Sequence, residues 1–159
     1  MSLEIKGLTV AYGDRVIKDE MFLTKGKMLQ NIIVSLGGRV AEEFIFKDIT
    51  TGASQDIKQA TQTAKAMVMQ YGMSEAIGLL CYDENDEVFI GRDFGHTRSY
   101  SESVATMIDS EIRRIVEECH EEARRMIGEH MDVLHRCADL LIEKEKISRE
   151  EFESLFDER

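Results

Sequence analysis

Apolar and polar residues follow one another along most of this chain with the period of an α-helix. From residue 25 onward, apolar side chains recur at steps of three and four, so each segment would bury one face. In the first segment this apolar stripe comprises Met28, Leu29, Ile32, Ile33, Leu36, Val40 and Phe44. Capping boxes at Ser99–Glu102 and Ser148–Glu151 begin two later segments, and Gly72 ends the second one. The pattern predicts helices that begin near residues 25, 54 and 99, directly after Gly128, and near residue 148.

Two stretches have a different, strand-like pattern. Leu8–Tyr12 alternates in the manner of a short strand. Leu79–Tyr82 and Val88–Ile90 flank the acidic turn Asp83–Glu87 and predict a small β-hairpin. The turn lacks the acid spacing and central glycine of an EF-hand, which favours a solvated turn over a calcium loop. The predicted fold class is therefore mainly α, a helical domain with a small β-hairpin.

The length and composition indicate one soluble domain. A chain of 159 residues can bury a real core, and it contains no tract of 18 apolar residues that could span a membrane. Residues 1–18 are the least periodic, and we interpret them as an artificial start or as a remnant of an upstream region. Residues 19–159 are predicted to form the helical domain.

The charge is acidic and unevenly distributed. Residues 1–80 carry nine basic and nine acidic side chains, whereas residues 81–159 carry 11 basic and 22 acidic ones, which accounts for the net charge of −11. This distribution shows no basic face, so we predict no nucleic-acid partner. A solvated acidic face is favoured over a specific basic partner. Cys81, Cys119 and Cys137 fit neither a disulfide framework nor a CxxC metal motif, so packing thiols in a reducing compartment are expected.

A polar turn, Thr50–Asp56, connects the first two predicted helices. Its Thr, Ser and Gly residues supply capping oxygens and a permissive backbone, so a helix should begin near Ser54. Asp56 then lies in the first helical turn. It has two interpretations: it stabilises the helix end through the helix dipole, or its carboxylate is a hard ligand for a metal ion.

Two adjacent glycines, Gly37 and Gly38, interrupt the first predicted helix. Each costs a helix interior about 1 kcal/mol relative to Ala. Their presence predicts that another group closely approaches this backbone, either a second helix or a functional site.

The histidines form no recognisable metal motif. His130 and His135 are five residues apart, so they do not share the helix face that an HExxH pair requires. His96 and His120 are isolated, and all four histidines are interpreted as surface or packing residues. From its residues alone, the chain contains no complete active site and no catalytic residue.

Several separate motifs closely resemble the peptidase domain of the FtsH family, over about residues 19–156. They agree with that family in order and in spacing. The matching stretches are Leu36–Glu43, Asp48–Ile57, Ala60–Thr61, Met67–Val68, Tyr71–Ser74, Ile77–Gly78 and Phe89–Arg92.

The resemblance implies an ATP-dependent zinc metalloprotease that acts on unfolded or membrane polypeptides. It makes Asp56 the third zinc ligand, and it places Glu42 close to the zinc without binding it. The other ligands of the family are two histidines on an HExxH helix, whose glutamate is the general base, and this sequence contains no HExxH. The resemblance also implies a homo-oligomeric ring hexamer. ATP would bind at an ATPase module outside this chain, and N-terminal membrane helices, also outside it, would anchor the protein at the cytoplasmic face of the bacterial inner membrane.

Two hypotheses about the chain follow. It is the C-terminal part of such a peptidase domain, inactive by itself because one carboxylate cannot hold a catalytic zinc ion, which generally has three protein ligands. Alternatively, it is a catalytically degenerate helical domain that serves interaction or oligomerisation. The first hypothesis is favoured.

Overall fold

The computed structural model describes residues 23–82 and 100–157 in full and, before them, the backbone of three short strands. The strands are β1 (Leu3–Glu4), β2 (Thr9–Tyr12) and β3 (Arg15–Lys18). They form an antiparallel sheet in the order β1-β2-β3, in which Val10 pairs with both Leu3 and Ile17. The strand β2 lies where the alternation of residues 8–12 predicted one.

Helices make up most of the described residues, which confirms the mainly α prediction. They are α1 (Lys25–Phe46), α2 (Ser54–Met69), α3 (Glu102–Glu129), α4 (Met131–Lys144) and α5 (Arg149–Asp157). A single 3-10 turn, Thr51–Ala53, precedes α2. No helix in this described part is both long and apolar enough to cross a membrane.

The core lies where α1, α2 and α3 pack against one another. Four residues of the predicted stripe on α1 are buried, Met28, Ile32, Leu36 and Val40, and its other members are partly buried. Among the described residues the largest fully buried side chains are Ile32, Val40, Met67 and Val68. Alanines on α2 let the helices approach closely, since Ala60 and Ala64 are almost completely buried. Burial of these apolar faces, each methylene contributing about 0.8 kcal/mol, is the main force that holds the bundle together.

Helix ends agree with the predictions to within three residues. A capping box at Ser148 and Glu151 opens α5 as predicted, with a 2.8 Å hydrogen bond from the Ser148 amide to Glu151. In contrast, the cap of α3 is Ser101 and not Ser99, because the Ser101 hydroxyl accepts from the Val104 amide. The helix α2 ends at Met69, three residues before Gly72.

The predicted β-hairpin is not supported. Leu79–Tyr82 forms no strand, and the acidic turn and Val88–Ile90 lie outside the described residues. The physical reason is that residues 70–82 fold back on the end of α2: the amides of Met73 and Tyr82 donate to the carbonyls of Met67 and Met69. The Tyr82 amide, which a hairpin would pair with the opposite strand, therefore caps the end of α2.

An ion-pair cluster around Glu43 joins α1 to α3. Its carboxylate accepts from Arg39 at 3.3 Å and from Arg124 at 2.8 Å, and His120 Nε2 lies 3.5 Å away. The Arg124 guanidinium also lies over the Phe44 ring, 5.3 Å from its centroid. One partly buried carboxylate therefore connects the C-terminal half of α1 to α3.

A second polar contact, between Ser74 and Glu111, holds the segment after α2 against α3. The buried Ser74 hydroxyl donates to Glu111 Oε2 at 2.6 Å. Hydrogen bonds from Arg114 and Ser74 hold the pKa of Glu111 below its ordinary value of 4.5. A lowered folded-state pKa means that this carboxylate stabilises the fold above pH 4.5, and that its contribution is lost as the pH falls through the folded-state pKa.

We expect Ser74→Ala to lower the free energy of unfolding by about 1.5 to 3 kcal/mol at neutral pH, because it removes a buried hydrogen bond to a charged group. The difference from wild type should shrink as the pH falls below about 4.5. Urea unfolding over a series of pH values measures this. Ser110→Ala is the matched control, since the exposed Ser110 hydroxyl bonds, among the described residues, only the Thr106 carbonyl of its own helix. A Ser74→Ala penalty that stays constant with pH would contradict the interpretation.

Candidate functional site

Thr50 is the centre of the turn between α1 and α2. Its hydroxyl donates to Glu42 Oε1 at 2.9 Å and accepts from the Gly52 amide at 3.1 Å. Its own amide donates to Glu42 Oε2 at 3.3 Å, and its carbonyl accepts from Arg39 Nη1 at 3.3 Å. Every polar group of this residue is engaged, so the turn has a defined position relative to α1.

Asp56 lies in the first turn of α2, as predicted from the capping residues. Its side chain is exposed, and within the described residues it has no hydrogen bond or ion pair. The positive end of the helix dipole favours a carboxylate here. A protein side chain binds a metal ion well when it offers an anionic oxygen that is not already paired with a positively charged side chain. Asp56 is therefore suited to be one ligand of a metal ion.

The described residues do not supply a complete metal site. Nowhere in residues 23–82 and 100–157 do three His, Cys, Asp or Glu side chains come together to hold a metal ion. His120 faces Glu43, the ring of His130 packs against Phe156, and His135 is exposed. His96 lies outside the described residues. A metal ion at Asp56 requires further ligands from elsewhere.

The close approach predicted from Gly37 and Gly38 is not found. A Cβ atom on either glycine would meet no atom of the described residues within 4 Å. Gly38 is exposed, and the partly exposed Gly37 faces open space among the described residues. Crowding occurs instead at Gly52, where a Cβ atom would lie 3.1 Å from Thr50 Oγ1 and 3.5 Å from Glu42 Oε1, and at Gly72, where it would lie 3.2 Å from Leu79 Cα.

The sequence predicted Asp56 and, through the family resemblance, Glu42 as site residues, but it did not predict the contacts of Thr50 and Arg39. Thr50 was visible only as one of several capping residues of the turn. Its partners Glu42 and Arg39 precede it by eight and eleven residues, and no local sequence motif predicts contacts over such separations. Only the return of the chain after α1 brings these three side chains together.

A bundle of helices with an exposed carboxylate at the start of α2, unpaired among the described residues, is consistent with one part of a metallopeptidase domain. The sequence profile described as peptidase family M41 matches residues 5–155, and the chain belongs to this family.

Relatives of known class include ATP-dependent zinc metalloproteases named FtsH. The chain is 49% identical to FtsH 1 of a Thermoanaerobacter species over 140 residues, which are 87% of this chain and 23% of that protein. It is 45% identical to FtsH of Caldicellulosiruptor bescii over 139 residues, 87% of this chain and 23% of the relative. For FtsH 1 of Sphaerobacter thermophilus the identity is 42% over 161 residues, 99% of this chain and 24% of the relative. These matches confirm the resemblance to the FtsH family, and the chain spans about a quarter of the length of these relatives.

Proposed function

We propose that this chain is part of an ATP-dependent zinc metalloprotease, in which Asp56 is the third protein ligand of the zinc ion. The observation that carries the proposal is the exposed carboxylate of Asp56 in the first turn of α2, which has no ion-pair or hydrogen-bond partner among the described residues. Membership of peptidase family M41 and the printed class of the relatives support it. The remaining ligands are two histidines of an HExxH segment outside this chain.

The residues of this chain hold and orient the site. Asp56 supplies a negative oxygen ligand, and Glu42 stays beside the site by accepting two hydrogen bonds from Thr50. When bound, zinc supplies Lewis-acid chemistry for peptide hydrolysis. The general base is the glutamate of the same HExxH segment, so the isolated 159-residue chain has no peptidase activity.

The rest of the proposal concerns the whole protein. It is a ring-shaped homo-hexamer at the cytoplasmic face of a bacterial inner membrane, anchored by helices outside this chain. An ATPase module, also outside it, feeds unfolded or membrane polypeptides to the zinc site. The names of the relatives, which combine ATP dependence with zinc proteolysis, support this assignment.

Elemental analysis tests the proposal most directly. We expect about one zinc ion per chain in a longer form of the protein that includes an upstream HExxH segment, because a catalytic zinc generally needs three protein ligands. The 159-residue chain should purify without zinc. Casein hydrolysis should occur only in the longer form and should stop on addition of a chelator.

Two results would contradict the proposal. Chelator-sensitive hydrolysis by the 159-residue chain would show that its own residues complete a site. Absence of zinc and of hydrolysis from both forms would favour the alternative, a non-catalytic interaction or oligomerisation domain.

The acidic surface of α3 gives little support to the alternative, an interaction or oligomerisation domain. Arg114 pairs with Glu111 and Glu118 of the same helix, and Arg125 pairs in the same way with Glu122 and Glu129. Exposed pairs of this kind contribute little to stability, because solvent screens the two charges. Much of the acidic charge therefore has partners within α3, which is typical of a solvated helix face.

A further inference from the structure

The contacts around Thr50 point to a role that goes beyond capping a turn. Three of its four hydrogen bonds join it to α1, through Glu42 and Arg39. The fourth binds the Gly52 amide and so orders the 3-10 turn that leads directly into α2. Asp56 follows within the first turn of that helix.

The Glu42 carboxylate binds the turn. Both oxygens accept from Thr50, one from the hydroxyl at 2.9 Å and one from the amide at 3.3 Å. Glu42 also lies against Gly52, since a Cβ atom there would be 3.5 Å from Glu42 Oε1. The contacts of Glu42 therefore determine the position of the turn, and through the turn the start of α2.

Arg39 connects the same turn to the core of the bundle. Its guanidinium donates to the Thr50 carbonyl and to Glu43, and Glu43 in turn accepts from Arg124 on α3. A continuous series of polar contacts thus runs from α3 through α1 to the turn before Asp56. A turn held from two helices has little freedom to shift.

We infer that Thr50 is a positioning residue for the zinc ligand Asp56, acting through Glu42 and Arg39. This inference rests on the proposed function. Groups that orient a metal ligand are needed because the ligand must already lie in the binding geometry before the metal arrives. Their loss typically lowers metal affinity by about 10- to 100-fold. Thr50 meets this requirement because its hydroxyl is both donor and acceptor at the one turn that sets where α2 begins.

The experiment compares Thr50→Val and Thr50→Ser in the full-length protein. Valine keeps the shape of threonine without the hydroxyl, whereas serine keeps the hydroxyl. We expect Thr50→Val to weaken zinc binding by about 10- to 100-fold, measured by competition with a chelating dye, and Thr50→Ser to bind almost as tightly as wild type. Thr61→Val is the matched control, because the one bond of the Thr61 hydroxyl within the described part of the chain goes to the Ile57 carbonyl of α2.

A second readout needs no zinc. In the 159-residue chain, the Gly52 amide should exchange its hydrogen faster in Thr50→Val than in wild type, while the amides of α2 beyond its first turn keep their protection. The losses of zinc affinity in Thr50→Val and Glu42→Ala should be less than additive in the double variant, because both changes remove the hydrogen bond from the Thr50 hydroxyl to Glu42. Glu42→Ala removes in addition the bond from the residue-50 amide. Fully additive losses would contradict that coupling.

The outcomes separate the inference from the function on which it rests. A full-length wild type that binds no zinc contradicts the proposed function. A zinc-binding wild type with unchanged affinity in Thr50→Val, or with equal losses in Thr50→Val and Thr50→Ser, overturns the positioning role alone.

Discussion

Asp56→Asn in the full-length protein is expected to lower the rate of proteolysis by at least about 100-fold. Losing a group that only orients a metal ligand lowers activity by up to about 100-fold, and Asp56 is proposed to be a ligand itself. Asparagine has almost the same shape as aspartate but presents a neutral amide oxygen, so the zinc ion loses one anionic ligand. Zinc content should fall below one per chain. Casein hydrolysis and elemental analysis of the same preparation measure both effects.

The matched control for this change is Asp132→Asn. Asp132 is also an aspartate in the first turn of a helix, α4, where it pairs with Arg136 at 3.4 Å. Both substitutions remove a favourable interaction with a helix dipole, worth about 0.3 to 1 kcal/mol. Only Asp56→Asn removes the proposed ligand. Equal activity in the two variants would mean that Asp56 merely stabilises its helix end.

Ile32→Ala is expected to have the largest effect on stability, a loss of about 2 to 5 kcal/mol in the free energy of unfolding. Ile32 is 1% exposed and belongs to the core where α1, α2 and α3 meet. Alanine removes three heavy atoms from this core and leaves a cavity that the surrounding helices fill only in part. Urea unfolding of the 159-residue chain, followed by circular dichroism, measures the loss.

Val34→Ala provides the comparison on the same helix. Val34 lies two residues further along α1 but is 78% exposed, so its truncation should change the free energy of unfolding by no more than about 0.5 kcal/mol. Similar losses for the two variants would show that α1 does not bury the predicted face.

The helices could be predicted because their signals are local. Steps of three and four between apolar residues identified the face of α1 that includes Ile32, Leu36 and Val40, and this face is buried. Capping chemistry located the start of α2 at Ser54 and that of α5 at Arg149. Each of these signals extends over only a few residues, so it can be read directly from the sequence.

The predictions that were wrong are those in which one local sequence pattern is compatible with two different structures. The apolar stretch Leu79–Tyr82 could join a strand or cover a helix end, and its backbone caps α2. Gly37 and Gly38 predicted a close contact, but within the described residues a Cβ atom would be crowded at Gly52 and at Gly72 instead. Glycine marks a place where the backbone can be approached, and whether anything approaches it depends on the neighbouring elements.

The helical class, the buried stripe of α1 and the position of Asp56 in the first turn of a helix could all be predicted from the order of the residues. Periodicity and residue type are sufficient for these features, since both act over a few positions. The convergence of Glu42 and Arg39 on Thr50, and the contact from Glu43 to Arg124 of α3, are visible only in the folded structure. These side chains are eight, eleven and 81 residues apart, so their contacts form only after the helices have packed.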